Sequence, residues 1–201
     1  MALPDHSADT SCIPDVLIPF LQIIEVDPRP LVVMTCGIAG AGKSTLAKAI
    51  ASNTTTTIPP FTRLSVDTIL HAQHGLYKIN YPAREYGTHL TNAAATFHSE
   101  TIRLLQTTPP TNLVLDRSFY AKEDRDEYRA LAEQAGARVV LVYLKASREV
   151  LWRRICARKA RAETEGRDAD SAFDVGEELL DTYLRGWEAP VGESEVVIVV
   201  T

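Results

Sequence analysis

Short apolar runs separated by longer polar, amphipathic stretches organise this chain. Leu31 to Cys36 is the clearest run; Phe61 to Val66, Asn112 to Asp116, Ala137 to Leu144 and Glu195 to Val200 complete the series. Continuous apolar segments of this length read as strands buried on both faces. The stretches between them carry helical signals. Lys43 to Ser52 is compact, and Pro82 to Leu105 places Tyr86, Leu90, Ala94, Phe97 and Ile102 near a period of about 3.6 residues. Lys122 to Ala135 is polar and amphipathic and is stopped by Gly136. Ser147 suits an N-cap, with Glu149 in the first turn of a basic helix running to about Ala162. Asp170 to Trp187 gathers Phe173, Leu179, Leu180, Tyr183, Leu184 and Trp187 on one face. Strands alternating with helices predict a three-layer α/β/α fold around a mainly parallel five-stranded sheet.

Ahead of the first strand the pattern weakens. Residues 1 to 13 are small and polar and read as a loose arm, and Ile13 to Val26, with Pro19 in its middle, as a short or broken helix. Asp27-Pro28-Arg29-Pro30 marks the boundary, so residues 1–29 form an arm and 30–201 the domain. Thr54 to Thr57 with Pro59-Pro60, and later Pro109-Pro110, are loop punctuation.

Composition narrows the function classes. A chain of 201 residues, 45% hydrophobic and 23% charged, is one ordinary globular domain. The net charge of −5 and pI near 5.6 argue against a sequence-independent grip on long nucleic acid, while leaving room for a local basic cleft. No apolar run reaches the roughly 18 residues of a membrane span, and the first residues lack the basic start of a secretory signal. A soluble cytoplasmic protein without a membrane partner is expected. Cys12, Cys36 and Cys156 are odd in number and far apart, which reads as reduced thiols, with Cys36 packed in a strand and Cys156 on a helix.

The strongest chemical signal follows the first strand. Gly37-Ile38-Ala39-Gly40-Ala41-Gly42-Lys43-Ser44-Thr45 contains G-x-x-x-x-G-K-[ST], the phosphate-binding loop. Its glycines let the backbone turn and bring N–H groups onto phosphate oxygens. The following helix adds the positive end of its dipole. Lys43 supplies a compact cation for the β- and γ-phosphates, and the Ser44 hydroxyl suits one position of a Mg²⁺ octahedron. The plain alternative is a chance glycine turn, but the strand before it and the helix after it are both present.

In an open parallel sheet ligands collect beyond the carboxyl ends of the strands, and this selects Asp67 and Asp116 alongside the loop. Asp116 suits the acid that holds Mg²⁺ together with Ser44; the alternative is a strand-ending turn or cap. Arg117 rather than Glu follows it, which favours transfer over hydrolysis. Asp67 suits the carboxylate that orients and deprotonates a hydroxyl, or else the cap of a helix starting at Thr68. Arg148, Arg153, Arg154, Arg158, Lys159 and Arg161 form a basic helix. Arg154 and Arg158 are four apart, so they share a face and could neutralise phosphates from a lid over about residues 153–172. Its alternative is a solvated face paired with Glu149 and Glu163. Arg84, Tyr86 and His89 suit the wall of an acceptor pocket or an ordinary helix start. His6, His71, His74 and His98 have no metal-ligand spacing.

Taken in order, the loop, Leu64-Ser65-Val66-Asp67, Leu113 to Ser118, Val139 to Leu144 and then Arg154 and Arg158 resemble the small P-loop kinases of the zeta-toxin, polynucleotide-kinase and chloramphenicol-phosphotransferase group. The resemblance covers about Leu31 to Val200. It implies ATP- and Mg²⁺-dependent phosphorylation of a hydroxyl, with Lys43 on the phosphates, Ser44 on the metal, Asp67 as base and the Arg154/Arg158 region as lid. Polynucleotide kinases carry an Arg three residues after the base, whereas Leu70 stands there. With the acidic pI, that departure ranks a small-molecule hydroxyl acceptor above a polynucleotide 5′-hydroxyl. A non-catalytic nucleotide-binding module is the remaining rival. A GTPase switch is disfavoured because no Asn-Lys-x-Asp occurs.

Overall fold

The structure is a computed structural model that describes residues 13–22, 27, 29–166 and 175–201. Five strands, β1 (Leu31–Cys36), β2 (Phe61–Ser65), β3 (Asn112–Asp116), β4 (Arg138–Ala146) and β5 (Val196–Val200), form one sheet in the order β2-β3-β1-β4-β5. Every neighbouring pair is parallel. The expected layered α/β/α fold is therefore present, with an all-parallel rather than mainly parallel sheet.

Seven α-helices are described: α1 (Ile18–Leu21), α2 (Lys43–Ala51), α3 (Val66–His74), α4 (Tyr86–Leu105), α5 (Lys122–Gln134), α6 (Arg148–Glu165) and α7 (Glu177–Gly186). The apolar run of β1 explains why both faces of the sheet are covered. All six of its residues are buried, with Leu31 and Val33 facing one core and Val32, Met34 and Cys36 the other. The first core takes Ala47 and Ile50 of α2, Leu151 and Ile155 of α6 and Leu180 of α7; the second takes Phe97 of α4 and Tyr128 of α5. Each aliphatic side chain so buried contributes about 1.5–3 kcal/mol.

Several boundaries move for physical reasons. β4 runs two residues past the expected Leu144 because Lys145 and Ala146 pair with Val199 and Val200. The segment before β1 is a 3₁₀ turn at Asp15–Leu17 running into the four residues of α1, a broken helix as its proline suggests. The last helix spans Glu177–Gly186; Phe173 and the rest of residues 167–174, including the far part of the expected lid, lie outside the described residues.

The two described cysteines have opposite environments. Cys36 is fully buried, and desolvation pushes its thiol up to about 12, whereas Cys156 is exposed on α6. Iodoacetamide at mildly alkaline pH is expected to alkylate Cys156 and to spare Cys36 until the chain is denatured, as read by peptide mass mapping. Equal labelling of both in the folded protein would contradict the packing of β1. No described helix is long and apolar enough to cross a membrane.

Candidate active site

Strand register brings the chemistry together. Thr35 and Ser65 both stand beside Asp116, so β1, β2 and β3 finish side by side, and the chain leaves them as the Gly37 loop, α3 and the Arg117 turn. Buried Thr35 braces the junction, its hydroxyl donating to the carbonyls of Leu115 and Arg117 at 3.3 and 3.4 Å.

The loop folds tightly. Gly37 N–H donates to Ser118 O at 3.1 Å, and Ala41 N–H to Ile38 O at 3.1 Å. Gly40 has φ +89°, and a Cβ there would stand 2.8 Å from the carbonyl oxygen of Leu151 and 3.2 Å from Ile155 Cγ1. The loop is thus seated against α6, which only glycine permits. Gly40→Ala is expected to cost about 1–3 kcal/mol from strain, seen as a lower Tm, and to weaken nucleotide binding as well. Wild-type melting and binding by this variant would mean that the loop is not held by α6.

Lys43 starts α2. Its ammonium donates to Ile38 O at 3.1 Å; burial pulls its pKa down, while the nearby carboxylates of Asp116 and Asp67 push it back up. A half-buried cation in the field of two acids, one of them exposed Asp67, is placed to meet a polyanion. Ser44 Oγ donates to Asp116 Oδ1 at 3.3 Å. These two hard oxygens fit Mg²⁺, which takes one or two protein ligands and fills its octahedron with phosphate and water oxygens. Among the described residues no group of three or more His, Cys, Asp or Glu could hold a metal by itself.

The other oxygen of Asp116 has a partner that the sequence reading missed. Arg63 of β2 reaches across, Nε and Nη2 both donating to Oδ2, the former at 3.0 Å. The pair is well covered, with 15% of the Arg63 side chain and 3% of the Asp116 side chain exposed. One oxygen is thereby fixed and the other turned toward Ser44. A lone arginine within a short, half-buried strand was the available signal, because a buried charge requires a partner.

Asp67 lies in the first turn of α3 and is exposed. It does not cap that helix. α3 begins at Val66, and the N-cap is Ser65, whose Oγ accepts from Thr68 N–H at 3.3 Å. The structural alternative for Asp67 is therefore occupied by its neighbour.

On α6, Ser147 is the N-cap, accepting from Val150 N–H at 3.4 Å. Leu151 and Ile155 are buried against the loop, and Arg154 and Arg158, one position further round, are half-buried on the same side. Arg154 Nη1 lies 3.6 Å from where a Cβ on Gly42 would be, and the charge of Arg158 is felt at Lys43. Arg153, Lys159 and Arg161 are exposed. Arg148 belongs to neither group: it donates to Asp181 and Glu177 of α7 and not to Glu149. The helix thus carries one cation beside the loop, Arg154, whose Nη2 also donates to Thr201 O at 3.2 Å, half-buried Arg158 one turn further on, and a separate solvated set. Replacing Arg154 and Arg158 together by Ala should slow phosphate transfer roughly 10²-fold, the usual worth of a positioned charge, with little change in melting. A lower Tm with unaltered transfer would return both to the solvated face.

Of the residues considered for an acceptor wall, Arg84 is displaced. Its side chain is 81% exposed and pairs with Glu85, because a short 3₁₀ turn at Ala83–Glu85 points it outward. Tyr86 and His89 are half-buried and turn inward onto Tyr77, His74 and Tyr81.

Comparison with known proteins places this geometry. Residues 32–190 match a family model described as an AAA domain. Among solved structures, a kinase candidate from Chloroflexus aurantiacus J-10-fl superposes with a TM-score of 0.63 at 19% identity, covering 85% of this chain and 88% of that one. A gluconokinase from Sinorhizobium meliloti 1021 gives 0.53 at 22% identity, covering 87% and 83%. A chain of the Pnkp1/Rnl/Hen1 RNA repair complex gives 0.57 at 16% identity, covering 79% of this chain and 44% of that one. At such identities the likeness is one of fold. Comparison with curated proteins finds no match. Since the family model spans most of its length, the chain belongs to the AAA-domain family.

Proposed function

We propose that the protein is an ATP- and Mg²⁺-dependent kinase that transfers the γ-phosphate to a hydroxyl of a small molecule. The observation that carries this reading is the gathering, at neighbouring strand ends, of the loop's ammonium, the Ser44–Asp116 pair and α3, which follows β2 directly and carries exposed Asp67 in its first turn. A cation that holds a phosphate tail, beside a carboxylate open to solvent, is what in-line transfer to an alcohol requires.

In this mechanism the loop amides and Lys43 fix the triphosphate, and Arg154 and Arg158 spread positive charge over its end. Asp67 accepts a hydrogen bond from the acceptor hydroxyl and aims its oxygen at the γ-phosphorus. The new O–P bond forms as the bond from the γ-phosphorus to the β–γ bridging oxygen breaks; the hydroxyl proton goes to Asp67, and ADP leaves. Ser44 and Asp116 would hold Mg²⁺, which supplies charge neutralisation between the phosphates. Arg63 keeps Asp116 in place for that role.

The test is a screen with labelled ATP against pooled metabolites, nucleosides and 5′-hydroxyl oligonucleotides, scored by mass gain of the acceptor. Mass gain in a small molecule is expected. Preferential labelling of oligonucleotides would instead make this a polynucleotide 5′-hydroxyl kinase, the reading kept alive by the RNA-repair neighbour and opposed by buried Leu70, where a cation would be wanted. No labelled product in any pool would favour a non-catalytic nucleotide-binding protein.

A further inference from the structure

The connection from α3 to α4 gathers five rings: His74 at the end of α3, Tyr77 and Tyr81 in the connection, and Tyr86 and His89 at the start of α4. His74 and His89 stack at 3.7 Å between ring centroids with 12° between planes. Tyr81 stands edge-on to His89 at 4.8 Å, and Tyr77 edge-on to Tyr86 at 5.2 Å. Asp67 stands two turns before His74 on the same face of α3, so that carboxylate and the ring cluster lie along one side of the helix. Burial raises the phenol pKa of Tyr81 and Tyr86, and the charge of Asp67 adds to it.

Two polar atoms inside this assembly lack a hydrogen-bond partner: Tyr81 Oη, on a residue only 6% exposed, and Nδ1 of His89. A buried hydroxyl and a buried ring nitrogen left unmade destabilise the free protein unless something bonds to them. His89 Nε2 stands 3.6 Å from a carboxylate oxygen of Glu85, while its other ring nitrogen, Nδ1, has no partner. A phenol hydroxyl and an imidazole nitrogen can each donate or accept, so together they complement a ring edge that carries both a donor and an acceptor. The groups that usually bind open-chain sugars are turned elsewhere. Asn80 Oδ1 is taken by Leu76 N–H at 2.7 Å, Lys78 lies over the ring of Tyr77, and Arg84 faces solvent.

We propose that this aromatic assembly is the acceptor-recognition site and that the alcohol it takes carries a flat, hydrogen-bonding ring on the side away from its hydroxyl, as a nucleoside does, rather than being a sugar acid or polyol. The ring stacks among the tyrosines and bonds by its edge to Tyr81 and His89, which leaves the hydroxyl-bearing arm to reach Asp67. For an acceptor to reach the two polar atoms, the side chains of Tyr77 and Tyr81 must part, while the backbone bridge between these residues holds their connection in place. The inference rests on the kinase reading for the role of Asp67.

Its test compares binding of adenosine, guanosine, cytidine, uridine and 2-phenylethanol with that of gluconate, glucose and glycerol. Saturation-transfer NMR is run on the whole chain with a non-hydrolysable ATP analogue, beside phosphate transfer from ATP. At least one nucleoside is expected to bind at millimolar concentration or below, more tightly than 2-phenylethanol, which lacks the polar edge. Tyr81→Phe should weaken that binding about 3- to 30-fold while leaving Tm unchanged or higher, since it removes an unpaired buried hydroxyl and keeps the ring. A role in packing alone would not move affinity and melting in opposite senses. Binding of the polyols but of no nucleoside, binding of no probe, or nucleoside binding indifferent to Tyr81→Phe each overturns the inference. Nucleosides that bind with the expected Tyr81 dependence but gain no phosphate would sink the kinase reading and leave the binding site standing. Phosphorylated gluconate with a KM indifferent to Tyr81→Phe would do the reverse.

Discussion

Lys43→Ala is expected to abolish phosphate transfer and to weaken ATP binding by roughly 10- to 100-fold, the worth of one charge-assisted contact to phosphate. The ammonium is held inside the loop by Ile38 O, under the joint influence of Asp116 and Asp67. Removing it leaves two acids facing the place where phosphate must sit, so repulsion adds to the lost attraction. Calorimetric titration with ATP and magnesium reads the affinity directly. An unchanged Kd would remove the phosphate-binding assignment of residues 37–45, whatever the residual activity.

Asp67→Asn is expected to separate binding from chemistry. The residue leaves the Ile38 contact of Lys43 and the Ser44–Asp116 contact alone, and Ser65 rather than Asp67 caps α3. The fold and the ATP Kd should therefore survive. An amide can still bond to a hydroxyl but does not take its proton at neutral pH, so transfer should fall by roughly 10² or more. Single-turnover transfer at saturating ATP is the measurement, and a wild-type rate would end the assignment of Asp67 as base.

Much of this site was legible because its parts are local. The loop spans nine consecutive residues, and Asp67 and Asp116 stand where apolar runs stop, a pattern that needs no knowledge of partners. What could not be read depends on pairings distant in sequence. Arg63 meets Asp116 across 53 positions, and Arg125, only 1% exposed within a helix that looked polar, pairs with Glu193 across 68. The same holds for α6: spacing placed Arg154 and Arg158 on one face, but only the burial of Leu151 and Ile155 tells which way that face looks. Arg84 went astray for a local reason, since a 3₁₀ turn ahead of α4 rotates it out of the register expected from a helix starting at Pro82.

The order β2-β3-β1-β4-β5 sets the two halves of the proposed reaction on different footings. The loop that would grip phosphate grows from β1, hydrogen-bonded on both sides at the middle of the sheet, whereas the crossover bearing Asp67 and the tyrosines leaves β2, an outermost strand with one neighbour. Exchanging that crossover for another of similar span would leave the central strands in register. The same engine could thus be refitted for a different alcohol by changes confined to residues 66–111.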